Sequence, residues 1–247
     1  MPNKIIQTEI DKILGELAFY NEPELLKEEY RKFLKVGKNF NKEKSKKYSQ
    51  SLASINWFIK KVAKYKIYFS EFYPCSTDNI QKHEALEHHI HAYLEDIITV
   101  KTKTTNYIGE LKNDLKQVVE NKKEISNSLD WLKEQIYKTF EGISTQRDQH
   151  RHRGFKFVDG DITNAEMAHI MLGKDSLFKG HFTDYAIEKF KAQKEESFEK
   201  AKKSWLENTL KNYDQIEGLA NEMVKRTKPF LYQYLDIEPL DTLYQSH

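Results

Sequence analysis

The densest chemistry in the chain lies in the run STQRDQHRHRGFKF, Ser144 to Phe157, where Arg147, Asp148, His150, Arg151, His152 and Arg153 fall close together. Asp148 and His152 are one helical turn apart, so on a helix the carboxylate accepts a hydrogen bond from the imidazole and fixes its tautomer. Arg147 follows the apolar series Ile125, Leu129, Leu132, Ile136, Phe140 and Ile143 at the same helical spacing. Its guanidinium is therefore expected in a groove or partner surface, where it demands an anion. His152 lies about 140° further around an ideal helix. The two converge only if the helix ends between them or a second copy of the site faces the first. An arginine and an oriented histidine suffice for phosphodiester cleavage without a metal: the imidazole moves a proton, and the guanidinium stabilises charge on the phosphate. The plainer reading is a helix C-terminus, where cations are favoured and Gly154 caps the end. It accounts for some of the Arg and His but poorly for Asp148.

A second cluster, HEALEHHIHAYLED, brings His83, His88, His89 and His91 together with Glu84, Glu87 and Glu95. Glu84, His88, His91 and Glu95 share a helical face whose spacing suits a transition metal. A solvated face with local ion pairs is preferred, so no metal and no cofactor is assigned. Another use of this face is to line the cleft that holds Arg147. Glu166-x-x-His169 has the order of a di-iron ligand pair, but it falls in a segment read as irregular and has no second copy, so it is set aside. Arg151, Arg153 and Lys156, with Phe155 and Phe157 interleaved, suit an RNA backbone and a stacked base. The alternation in FKFVD fits a short strand equally well.

The elements that must position these residues are helices. Apolar positions at helical spacing mark residues 4–20, a restart after Pro23, and a third helix from about 49 to 69. The lysine-rich GKNFNKEKSKKYSQ between them reads as a solvated linker. Pro74 and the following STDN mark a break, and one long pattern then runs to about Asn121 with a weak point at KTKTT. The helix leading into Arg147 is the most regular of all. After Gly154 no period is sustained to about Phe182, which predicts a loop or short strands. A last long helix carries Trp205 and Met223, with Pro229 expected to stop or kink it. The fold class is all-α: a bundle of long antiparallel helices, residues 75–247, with an N-terminal helical extension over 1–74 and an irregular insert after the motif.

Composition agrees with this. Lys plus Arg is 40 against 38 Asp plus Glu, a net charge of +2, with only 9 Gly and 5 Pro. Such balance argues for salted helical surfaces rather than a generic nucleic-acid coat, so any RNA contact must be local. The single Cys, Cys75, excludes a disulfide framework and fits a reducing, cytoplasmic setting. The charged N-terminus is unlike a signal peptide, and no apolar window suits a membrane span.

Arg147-Asp148-Gln149-His150-Arg151-His152 is similar to the R-[N/D/H]-x-x-x-H signature of the HEPN superfamily, all-α bundles with the motif near a helix junction. The resemblance covers residues 76–227 and leaves 1–74 aside. It implies a homodimer in which two facing motifs form one RNA-cleaving site, as in many toxins and abortive-infection factors against phage, some with an antitoxin protein. Carried over, Arg147 is the phosphate and transition-state residue, His152 the proton-transfer residue, and Asp148 the polar residue that orients them. His150, Arg151, Arg153 and Lys156 would contact RNA. Asp is a less common variant than Asn at the second position, and the long segment after the motif departs from compact members. The alternative is a catalytically inactive HEPN-like bundle that binds RNA, a nucleotide or a protein partner.

Overall fold

The computed structural model describes residues 8–71, 80–118, 121–152, 159–173, 176, 178 and 180–240, with residues 149–152 described by backbone alone. Among these residues the protein is all-helical, with one isolated antiparallel bridge, Val36 to Ile237. Its helices are α1 (Glu9–Asn21), α2 (Glu28–Arg31), α3 (Lys42–Ala63), α4 (Tyr65–Glu71), α5 (Lys82–Val118), α6 (Lys122–His152), α7 (Gly160–Leu172) and α8 (Asp184–Leu235). No helix among the described residues is long and apolar enough to cross a membrane.

Several local expectations are corrected. The lysine-rich segment is largely helical, because α3 begins at Lys42 and buries Ser45 and Tyr48. KTKTT lies inside α5, which is continuous through it; Thr104 is buried and its hydroxyl donates back to the Val100 and Lys101 carbonyls. Pro229 lies inside α8 rather than ending it. Its local cost, about 3 kcal/mol, is opposed by the buried Val224, Leu231, Tyr232 and Leu235 on either side. The insert after the motif is not wholly irregular either. It contains α7, capped by Asp159, whose side chain accepts from the Asp161 and Ile162 amides. The FKFVD strand reading lies outside the described residues.

Contacts divide the chain into two compact units, with α5, α6 and α8 each contributing a segment to both. One comprises Met1–Ile59, Thr99–Phe140 and Gln215–His247. Its core takes Ile13 and Leu17 of α1, Leu52 and Ile55 of α3, Leu111 of α5, Leu129 and Ile136 of α6, and Met223 of α8. Tyr48 donates to Asp114 at 2.7 Å, and Tyr107 shares a hydrogen bond with Thr227 at 3.0 Å. Inside it Glu16 is buried to 1% exposure. It accepts from Lys228 Nζ at 2.8 Å, the Tyr232 hydroxyl at 2.5 Å and the Leu240 amide at 3.3 Å. Here too Gly37 packs on Asp236, donating its amide to the Asp236 carbonyl at 2.7 Å. A Cβ on Gly37 would overlap the Asp236 carboxylate and force it off the Asn39 amide that it accepts from.

The other unit comprises Lys60–Ile98 and Glu141–Asp214. An aromatic cluster of Tyr65, Phe69, Tyr93 and Trp205 fills its centre, with ring centroids 5.3 to 6.5 Å apart. Polar tips are satisfied at its edges. Tyr65 donates to Asp96 at 2.6 Å, and Trp205 Nε1 donates to Asp159 at 2.7 Å, tying the start of α7 to α8.

Candidate functional site

The apolar stripe of α6 delivers Arg147 as its spacing predicts. Leu129, Leu132, Ile136 and Phe140 are buried, Ile143 is half-buried, and the Arg147 side chain is 18% exposed. An arginine in that position needs an anion, and two carboxylates supply it. Glu95 of α5 takes a bidentate pair, Arg147 Nε to Oε1 at 2.9 Å and Nη2 to Oε2 at 3.2 Å. Asp148 accepts from Nη1 at 3.1 Å. These hydrogen bonds, Glu95's first, push the guanidinium pKa above its ordinary value against a smaller opposing effect of burial. Each Nη retains a second N–H outside these bonds.

The strength of this arrangement decides what it can do. The Glu95 and Asp148 side chains are 57% and 55% exposed. Ion pairs with such exposed partners contribute about 0.2–1 kcal/mol, because water and salt screen them. The guanidinium is therefore held in one orientation by partners that a phosphate can displace at small cost. Bidentate recognition of a phosphate by Arg uses the same planar fork that now engages Glu95.

Helix α6 continues through His152, so it does not end between Arg147 and His152. Their positions then sit about 140° apart around the axis. Asp148 bridges this separation in part. It bonds Arg147 and occupies a position one turn before His152. The side chains of His150, Arg151 and His152 lie outside the described residues, as do Arg153 and Lys156 altogether.

The histidine-bearing face of α5 does reach Arg147, through Glu95. It is otherwise split among separate partners. His91 Nε2 lies 3.6 Å from Glu87, the His89 ring stacks on Tyr68 at 5.7 Å, His88 is exposed, and His83 is buried. Among the described residues no group of His, Cys, Asp and Glu is placed to hold a metal ion.

Two features were not legible in advance. Glu95 belongs by spacing to a polar face, yet its pairing with Arg147 joins residues 52 apart, and no local pattern encodes that. Glu166 and His169 have a recognisable spacing, but the glycines around them predict an irregular segment. Both lie on α7, and His169 meets Lys194 and His83. The capping residue Asp159 and the following Gly173 were the available signals for that helix. Compared with protein-family models, with curated proteins and with solved structures, the chain matches none.

Proposed function

We propose that the protein is an endoribonuclease of HEPN type that cleaves RNA through Arg147 and His152 without needing a metal, in a setting such as a toxin or phage-defence factor. The observation that carries this reading is the half-buried Arg147, aimed by Glu95 and Asp148 near the end of α6. In the reaction the phosphate replaces Glu95 on the guanidinium, which then stabilises the charge that develops on the phosphoryl oxygens. His152 moves a proton at the 2′-hydroxyl or the leaving oxygen, and Asp148 keeps the two groups in register. Because α6 stays helical from Arg147 to His152, the arginine of one copy is best matched with the histidine of a second. In this reading the active species is a homodimer, as the HEPN resemblance implies. His150, Arg151, Arg153 and Lys156 are the residues proposed to contact the RNA backbone.

A second reading has its own support. Arg147 already has its charge matched by two carboxylates, which suits a catalytically inactive HEPN-like bundle that binds RNA, a nucleotide or a protein partner. One assay separates the two. Purified protein is incubated with structured and single-stranded RNAs, with and without EDTA, beside Arg147→Ala and His152→Ala. Cleavage that both substitutions abolish, with dimerisation and helicity intact, supports the nuclease. RNA binding with no cleavage under any condition sinks the nuclease and leaves the second reading.

A further inference from the structure

His83 of α5, His169 of α7 and Lys194 of α8 converge within one unit, away from any role in the reaction above. His83 is 3% exposed, and its Nδ1 has no hydrogen-bond partner. Its ring lies 5.4 Å from that of His169, tilted by 53°. His169 Nδ1 is 3.1 Å from Lys194 Nζ, which also donates to Gln81 Oε1 at 3.1 Å. Lys194 thus contacts neutral acceptors, whereas Lys82, whose charge acts on it, pairs with Glu195 at 3.1 Å.

Such a gathering of bases is costly. Burial depresses the pKa of all three groups. Lys194 lowers both histidines further and Lys82 lowers Lys194, while Glu84 opposes the trend at each and Glu195 at Lys194. Glu84 itself accepts from the Gln81 amide at 2.6 Å. A buried, unpartnered ring nitrogen beside a lysine whose hydrogen bonds go to Gln81 and His169 rather than to a carboxylate suits an acceptor carrying negative charge. A metal ion is the poorer match, because an ammonium stands against the His169 lone pair that would ligate it.

We propose that His83, His169 and Lys194 form a binding site for a small oxyanion of the phosphate or sulfate class, either free or as the phosphoryl group of a nucleotide. The anion accepts from the remaining Lys194 N–H and from His83 Nδ1–H, and its charge draws a second proton onto the His83 imidazole, while His169 keeps its Nδ1 lone pair for Lys194. Binding therefore strengthens as pH falls, with Glu84, Glu195 and Lys82 setting the background field. This site does not rest on the ribonuclease reading.

The test is an NMR titration of the His83 and His169 imidazole resonances with inorganic phosphate, repeated with a nucleoside 5′-monophosphate, at pH near 6 and near 8. The His83 ring is expected to move toward its imidazolium position and the His169 ring to shift as Lys194 engages the anion, and inorganic sulfate, whose charge is constant over this range, is expected to bind more tightly at the lower pH. Lys194→Met is expected to abolish the effect, and Lys194→Arg to retain it. Equal affinity for the two probes assigns a free anion, and tighter nucleotide binding assigns a phosphoryl group on a nucleotide. The proposal is overturned if millimolar phosphate and nucleotide leave both rings unmoved at the lower pH. Unchanged shifts in folded Lys194→Met overturn it equally.

Discussion

Two ion-pair networks in this protein use the same chemistry to opposite ends. Around Glu16 a carboxylate 1% exposed is surrounded by Lys228, the Tyr232 hydroxyl and the Leu240 amide, all within one core. Around Arg147 a cation is held by carboxylates that are more than half exposed. Burial separates them. Glu16 has been withdrawn from water, so its partners are indispensable to the fold. The carboxylates on Arg147 remain in water, so they orient the guanidinium while remaining replaceable. The contrast teaches that a site able to exchange partners is found where ion pairs stay at the surface, and that fold stability is sought where they do not.

The comparison can be broken most sharply at Glu16. Glu16→Ala strands Lys228 and the Tyr232 hydroxyl, and should cost about 3–5 kcal/mol in chemical denaturation. Next comes Arg147→Ala. It should leave unfolding within about 1 kcal/mol of wild type, yet lower any ribonuclease rate by about 10²–10³-fold, the usual loss on removing a charge-stabilising donor. A stability loss as large as that at Glu16 would show the arginine to be structural.

Smaller effects sharpen the same line. Burial, and then Lys194, hold His169 below the ordinary imidazole value of 6.5, and burial does the same for His83. A lowered histidine pKa contributes stability that is present above the unfolded value and lost as pH falls through the folded one. Thermal midpoints should therefore drop between about pH 7 and pH 5, and phosphate should restore part of the loss at the acid end. A midpoint that rises on acidification would contradict this. Smallest is Glu95→Gln, expected to change stability by less than about 1 kcal/mol. It should nevertheless tighten RNA binding in a filter or anisotropy assay, since it removes the competitor for the guanidinium. Weaker binding would mean that Glu95 positions the arginine more than it masks it.

How much of this was legible beforehand follows the reach of each interaction. The spacing of Ile125, Leu129, Leu132, Ile136 and Phe140 marks the buried face of α6, because helical periodicity is local and strong there. It carries Arg147 to the place where an anion is needed. The identity of that anion is a tertiary fact, since Glu95 arrives from another helix. α7 was hidden for a related reason. Its buried residues, Ile162, Ala165 and Ala168, are few and small, and flanking glycines suggested a loop. Pro229 does not stop α8, because burial on both sides of it outweighs its local preference.

The latch between Gly37 and Asp236 has a consequence for how the molecule is born. Lys35 pairs with Glu238 at 2.9 Å, Asn39 donates to Asp236 at 2.8 Å, and Val36 bridges Ile237, so an early loop is closed by the far end of α8. A ribosome delivers residues in order, and the loop must wait until α8 has been made. Closing so long a span has a high entropic cost and is slow compared with helix formation. The core around Glu16 therefore assembles only after Lys228, Tyr232 and Leu240 have left the ribosome, and a chain halted before them carries α1 without the donors that satisfy Glu16.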